Sequence, residues 1–383
     1  MNVSEYKGGK MKRNYDVKLI AKMKQNENFE FIDNLAVTVK PIPEGGAWGD
    51  MDPRLYQSMK RLPLIYRFMP KPKQNLTIHE KVKPLRKMFA DYKGIQMVTE
   101  GVITKEFCVN GADGHQIPIR LYKRTMASEK LPILVYYHGG GFFGGSADIV
   151  EQLCKLLVSN FDCAVLNVTY RLCPENHYPA PLDDCYNAAK WAYENAESFG
   201  GDQHRIAVGG DSAGGNLAAA VTLRNREEKA NMVKLQVLIY PAVSISGQKT
   251  EFYHGVDLNQ FNMSKKHEKV LKTVLRMMTD LAGKGSNLLE EVYLQGYEKS
   301  EHIFVSPLND DMHDLPPTLI LFGEHDFLMF EDLAYAQTLN KAGRTVKTIL
   351  YRGIGHGFAD QIGVLPQAED CVCEIAKYMS EVL

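Results

Sequence analysis

The most constraining feature of this chain is the strand-like run Arg205 to Val208, which leads directly into Gly210-Asp211-Ser212-Ala213-Gly214. Small residues follow, with Leu217 and Val221 at helical spacing. A G-x-S-x-G turn in that setting holds a serine on a sharp strand-to-helix reversal, where flanking glycines avoid backbone clashes. A strand feeding a helix in this way points to alternating α/β architecture, and Ser212 becomes the candidate nucleophile.

The rest of the chain keeps the same rhythm from about Val102 onward. Strand-like stretches run over Ile103 to Val109, Ile117 to Tyr122, Ile133 to Tyr137, Ala164 to Val168, Ile206 to Val208, Leu235 to Ile239, Thr318 to Phe322 and Thr348 to Tyr351. Helix-like stretches at Ala147 to Ser159, Pro181 to Ser198, Ala213 to Arg226, Glu331 to Ala342 and Gln367 to Glu381 lie between or after them. The expectation is a mostly parallel eight-stranded sheet flanked by helices.

Two regions fall outside this pattern and read as helical: residues 1–95, an N-terminal extension with cap helices, and an insertion at about 244–302 in the catalytic domain 96–383. In the first, the apolar residues Tyr56, Met59, Leu62 and Leu64 to Phe68 precede a helix break at Met69-Pro70-Lys71-Pro72, and Ile78 to Ala90 starts a further helix. In the second, Val270, Leu271, Val274, Leu275 and Met278 recur at helical spacing. The insertion leaves the carboxyl end of a strand, the side on which open α/β sheets place their sites, so it is positioned to form a lid.

A serine hydroxyl is a weak nucleophile at neutral pH and needs a base, an orienting acid and an oxyanion site. Asp326 follows the strand ending at Phe322. His356, one of 11 histidines, sits in the glycine-bracketed loop Gly353-Ile354-Gly355-His356-Gly357-Phe358. His325 and His313 are the rival bases; Glu324, Glu331 and Asp332 are the rival acids. Upstream, His138-Gly139-Gly140-Gly141 follows a strand, so Gly140 and Gly141 can bring backbone N–H groups close to a substrate oxygen, joined by the Ala213 N–H at a helix start. His138 reads as a hydrogen-bonding prop for this loop. The chain order Ser, Asp, His with HGGG upstream is the order expected of an α/β-hydrolase.

Composition bounds the partners. With 45 Lys and Arg against 46 Asp and Glu, no global field favours nucleic acid or an anionic membrane, and a small-molecule substrate fits better. No apolar run is long enough for stable membrane insertion, and Lys7, Lys10, Lys12 and Arg13 precede only short apolar stretches, so the expected location is cytoplasmic. Seven cysteines without C-x-x-C spacing read as reduced thiols, not as a metal or disulfide framework.

Five segments in order, HGGGFFGGS (138–146), YRLCPENHYPAPLDD (170–184), GDSAGGNLA (210–218), the D-x-L-x-x-E stretch Asp326 to Glu331 and GHGF (355–358), resemble the hormone-sensitive lipase family of esterases. The similarity covers about residues 100–383. It implies an α/β-hydrolase fold with a helical cap, a triad of Ser212, Asp326 and His356, and an oxyanion hole of Gly140, Gly141 and Ala213. It also gives Glu175 and Asp183 or Asp184 structural hydrogen-bonding roles, builds the cap from N-terminal helices plus the insertion, and makes a homodimer through the last strand and helix plausible. The implied activity is hydrolysis of short to medium acyl esters through an acyl-enzyme, with no metal or cofactor. An amidase or deacetylase with the same triad, and a catalytically idle ligand-binding protein on the same scaffold, stay open as alternatives.

Cys173, Phe327 and Phe330 depart from the residues usual in the family. Phe142, Phe143, Phe327, Met329, Phe330 and Phe358, with Phe252 and Tyr253, are the candidate lining of an apolar substrate pocket. The first 45 or so residues exceed what the family usually carries. Val17, Leu19, Ile20 and Met23 among Lys18, Lys22 and Lys24 suggest an amphipathic helix that faces the cap, a second subunit or, less favoured, a membrane.

Overall fold

A computed structural model describes residues 12–32, 34–68, 75–92, 94–282 and 288–383. The expected break at Met69-Pro70-Lys71-Pro72 lies outside the described residues, as do Lys7 and Lys10. In chain order the elements are α1 (Lys18–Gln25), β1 (Asn28–Ile32), β2 (Leu35–Lys40), α2 (Pro53–Met59), α3 (Leu62–Phe68), α4 (Ile78–Asp91), β3 (Val102–Asn110), β4 (Gln116–Arg124) and β5 (Leu131–Tyr137). There follow α5 (Glu151–Asn160), β6 (Ala164–Val168), α6 (Ala180–Glu194), β7 (Gly201–Asp211), α7 (Ala213–Glu227) and β8 (Val233–Ile239). The chain ends with α8 (Glu268–Ala282), α9 (Leu288–Leu294), β9 (Thr318–His325), α10 (Met329–Lys341), β10 (Val346–Gly355) and α11 (Pro366–Val382).

The strands form one sheet in the order β1-β2-β10-β9-β8-β7-β5-β6-β4-β3. It is parallel from β2 through β6, with antiparallel pairs at both margins. The near-continuous apolar runs of β5, β6 and β9 follow from this placement, because helices cover both faces of the central strands. β5 pairs with β6 on one side and β7 on the other, so the chain reverses its direction of winding there. Loops leaving the carboxyl ends of β5 and β7 diverge at this point and leave a crevice between them.

The sheet has two strands more than the eight expected. β1 and β2 come from the region read as wholly helical, and β2 pairs in parallel with β10 through Val37↔Thr348 to Lys40↔Tyr351. A boundary at residue 95 therefore cuts through the sheet.

α1 packs within its own chain, on the catalytic domain. Ile20 and Met23 of its apolar side are buried, Leu19 is half-buried and Val17 stays exposed, and the helix lies on α11 of the same chain. Burying two such side chains contributes about 1.5–3 kcal/mol each. Ion pairs fix the same seam. Arg13 reaches Glu369 at 2.6 Å, and the fully buried Lys40 ammonium stands 2.8 Å from Glu374 and 3.3 Å from Asp370, with Glu27 as a third acceptor. These carboxylates hold Lys40 in its charged form despite the cost of burial. The extension thus occupies the β10 edge and the α11 face through which the family resemblance implied dimer pairing.

Candidate active site

The turn after β7 supplies Ser212. Its backbone sits at φ 55, ψ −119, a sparsely populated region for a non-glycine residue. The strain is held in place from both sides: the Ser212 N–H donates to the Ile239 carbonyl at 2.9 Å, and its own carbonyl accepts from Asn216 and Ala242 at 3.0 and 3.1 Å. The first turn of α7 then crosses the end of β5 so closely that a Cβ on Gly214 would lie 2.0 Å from the Tyr137 carbonyl oxygen. Only glycine fits there, which explains the last residue of the motif in packing terms.

His356 follows β10, and Asp326 follows β9. Ser212 Oγ lies 2.8 Å from His356 Nε2, and His356 Nδ1 lies 2.9 Å from Asp326 Oδ2 and 3.1 Å from Oδ1. Asp326 is fully buried and also accepts the Leu328 N–H at 2.9 Å on Oδ1. The rings of Tyr240 and Phe327 stand 4.8 and 5.0 Å from the imidazole and confine it. Such an arrangement can draw a proton from a serine hydroxyl and hold the resulting imidazolium against a carboxylate.

Of the rival residues, Glu324, His325 and His313 are engaged elsewhere, and Asp332 is buried with both carboxylate oxygens unpartnered among the described residues. Glu324 accepts the N–H groups of Gly49 at 2.6 Å and Gly353 at 2.9 Å. His325 points its Nε2 to the Asp50 carbonyl at 3.1 Å, and burial lowers its pKa. His313 is exposed beside Asp311.

After β5, Gly140 and Gly141 adopt φ 126 and φ 60. A Cβ on Gly140 would fall 2.2 Å from the Gly144 carbonyl oxygen, so the loop can fold back on itself only with glycine at that position. The Gly144 N–H closes it by donating to the Gly140 carbonyl at 2.8 Å. Ala213 is the first residue of α7, where a helix leaves its N–H without an internal partner.

Behind the loop, Asp211 Oδ1 accepts the Gly139 N–H at 2.9 Å and the Tyr136 hydroxyl at 3.0 Å. Burial pushes the Asp211 carboxyl up to about 6 against the pull of those two donors. His138 stacks on Tyr170 at 4.5 Å with Nδ1 beside the Gly139 carbonyl, and burial lowers its pKa to about 4. It is a neutral prop, in line with the sequence reading.

Arg86 of α4 ties the cap to this machinery. Its guanidinium donates to the Phe143 carbonyl at 2.6 Å, to the Cys173 carbonyl at 2.5 Å and to the Glu175 carboxylate at 2.7 Å. Asp184, fully buried, accepts the Arg171 N–H and guanidinium, while Asp183 pairs with Arg224. Glu175, Asp183 and Asp184 thus bond structurally and stand apart from the Ser–His pair.

A cavity of about 260 Å³ opens over Ser212 and His356. Phe143 and Phe327 line it, as expected; Phe142, Met329, Phe330 and Phe358 do not. Phe142 is buried and stacks on Tyr293 with ring centroids 3.9 Å apart. Phe358 is wedged between Tyr240 and Tyr351, and Phe330 packs on Phe261. Met329 begins α10 and turns with it toward the core. Phe252 lies away from the cavity, and Tyr253 is buried outside it. The cap residues missed from sequence are Leu85, Met88 and Phe89 of α4, Met278 of α8 and Leu289 of α9, beside Ile149, Tyr240, Ala242 and Leu328 of the catalytic domain. Their amphipathic spacing marks helices, but which face meets Ser212 is set by docking.

Behind Asp326, Glu331 is buried and accepts the Ser244 N–H at 3.1 Å. Burial raises its pKa to about 8, assisted by the charge of Asp326 and opposed by the Ser244 and Val243 N–H groups. The free value is 4.5, so the folded state keeps a proton that the unfolded chain releases, and this stabilisation is full below about 4.5 and lost as pH rises through about 8. The change by pH 7 is on the order of 3 kcal/mol. Glu331→Gln is therefore expected to flatten the decline of melting temperature between pH 5 and 8.5; thermal melts in which both proteins decline alike would refute the assignment.

The cysteines are unpaired thiols: all seven are free.

Comparison with known proteins agrees with this architecture. Residues 134–360, more than half of the chain, match the family described as the alpha/beta hydrolase fold. The chain is 32% identical over 265 residues to carboxylesterase NlhH of Mycobacterium tuberculosis, covering 68% of this chain and 77% of that one. It is 30% identical over 250 residues to an arylesterase of Saccharolobus solfataricus, covering 64% and 74%. A solved hyperthermophilic esterase of Pyrobaculum calidifontis superposes with a TM-score of 0.68 at 29% identity, covering 87% of this chain and 98% of that one. The chain belongs to the α/β-hydrolase fold family, in the branch of hormone-sensitive lipase, among relatives that are carboxylic ester hydrolases.

Proposed function

We propose that this protein hydrolyses carboxylic esters of short to medium acyl chain through a covalent acyl-enzyme on Ser212. The observation that carries the reading is the continuous Ser212–His356–Asp326 hydrogen-bond chain, with steps of 2.8 and 2.9 Å, opening onto an apolar cavity.

His356 Nε2 takes the Ser212 proton as Oγ attacks the ester carbonyl carbon. Asp326 holds the imidazolium that forms. The N–H groups of Gly140, Gly141 and Ala213 meet the charge that develops on the carbonyl oxygen, each worth on the order of 100-fold or more in rate. His356 then gives its proton to the departing alkoxide, and water repeats the sequence to free the acid and restore Ser212.

The size of the cavity supports small substrates, since about 260 Å³ lies below the roughly 300–1,000 Å³ of pockets that enclose drug-sized ligands. Its walls support apolar ones. Across p-nitrophenyl esters from acetate to laurate, kcat/KM should peak at acyl groups of six carbons or fewer and fall by about ten-fold or more at laurate. A series that rises steadily to laurate would contradict this substrate range.

A further inference from the structure

The N-terminal cap carries charge and apolar surface that the reaction does not use. Between Pro53 and Ala90 the sequence has ten Lys and Arg against one acid, Glu80, a net of +9 in a chain whose formal net charge is −1. Arg54, Lys81 and Arg86 are held by Glu44 and Asp52, by Glu291 and by Glu175, and Lys71 and Lys73 lie outside the described residues, but Lys83 and Lys87 stand exposed one turn apart on α4. Lys60, Arg61 and Arg67 are exposed in and beside α3, and residues 53–68 contain no acid at all.

On α3 itself Leu64, Ile65 and Phe68 lie on one side of the helix and are 62%, 56% and 75% exposed. α3 lies along α8, and α8 contributes Met278 to the cavity wall. Met88 of α4 is 70% exposed and also lines the cavity, so apolar surface continues from the outside of the cap to the space over Ser212.

We propose that this face of the cap docks on an anionic lipid surface and takes from it amphiphilic esters, whose ester group enters the cavity while the long chain stays in the interface. Exposed apolar residues on a helix among basic ones form the pattern that lies in the headgroup region, with lysine stems reaching to the lipid charges. No helix of the described residues is long and apolar enough to cross a membrane, so the contact is peripheral. A second copy of this chain is a poorer occupant, because two such basic faces repel. The identity of the substrate rests on the esterase reading; the docking does not.

Flotation tests this with vesicles of phosphatidylcholine and phosphatidylserine at 7:3 and of phosphatidylcholine alone. Each basic residue near an anionic surface is worth roughly fivefold in partitioning. Wild type should float with the anionic vesicles and bind neutral ones about ten-fold less. Lys83→Glu with Lys87→Glu, and separately Leu64→Ser with Ile65→Ser and Phe68→Ser, should each lower partitioning about ten-fold or more. Both variants should hydrolyse dissolved p-nitrophenyl acetate at the wild-type rate, which shows that the fold is intact.

Ser212→Ala should float like wild type, so failure of the esterase reading appears as absent turnover and not as absent binding. Wild type that does not float, or that floats equally after the triple substitution, overturns the proposal. So does a wild type that elutes as a dimer and becomes a monomer on that substitution, which would assign the face to a second copy.

Discussion

Ser212→Ala is expected to lower kcat for a short p-nitrophenyl ester by on the order of a million-fold, with melting temperature little changed. The size of the loss follows from the way the site is built. His356 Nε2 has the Ser212 hydroxyl 2.8 Å away, and removal of Oγ leaves the base with nothing to activate except water in an unfavourable position. The remaining N–H donors of the oxyanion loop still favour attack on the carbonyl, so turnover should stay above the uncatalysed rate. Alanine at φ 55 meets much the same backbone strain as serine, which is why stability should hardly move. Rates measured on both proteins with one substrate, and melts on both, check the two halves of this expectation. A variant that keeps a tenth of the activity would remove Ser212 from the chemistry.

Asp326→Asn should cost about 10,000-fold in kcat, and the reason is visible in the hydrogen bonds. The Leu328 N–H donates to Asp326 Oδ1, while His356 Nδ1 sits nearer Oδ2, at 2.9 Å. An asparagine would turn its carbonyl oxygen to the Leu328 N–H and so face its NH₂ group to His356. The imidazole would then carry its proton on Nε2 and donate to Ser212 where it must accept. Geometry would survive and the tautomer would not. A loss of less than about tenfold, measured beside an unchanged melting curve, would mean that Asp326 does not set the tautomer.

The residues of the candidate site were legible in the sequence because their constraints are local. Gly214 must be glycine for contact with the Tyr137 carbonyl, Gly140 for the turn of its own loop, and Ser212 for the strand-to-helix elbow; each demand appears within a few residues as a motif. The pocket was harder to read because its walls are assembled from distant segments. Phe142 and Phe143 are neighbours in sequence, yet one stacks on Tyr293 of α9 and the other faces the substrate space. Nothing local separates them. Phe327, a departure from the family pattern, does reach the cavity, with its ring 5.0 Å from that of His356.

The N-terminal strands illustrate the same limit on a larger scale. Leu35-Ala36-Val37-Thr38-Val39 carries an apolar, β-branched signal, but its partner is β10, and Val37 meets Thr348 more than 300 positions later. Pairing of that range leaves no periodicity to detect. Lys40 gave no warning either, since a lysine at the end of a strand ordinarily reads as a solvent-facing end. Its role depends on Asp370 and Glu374, brought to it by α11.

Reaction with a fluorophosphonate, read by intact mass and peptide mapping, tests the covalent acyl-enzyme on Ser212. One equivalent of phosphonyl group is expected on the peptide that contains Ser212, in step with loss of ester hydrolysis, with no addition to Ser212→Ala. Full ester hydrolysis by protein that carries the label on Ser212, or a label that maps to another residue while activity disappears, would overturn the acyl-enzyme.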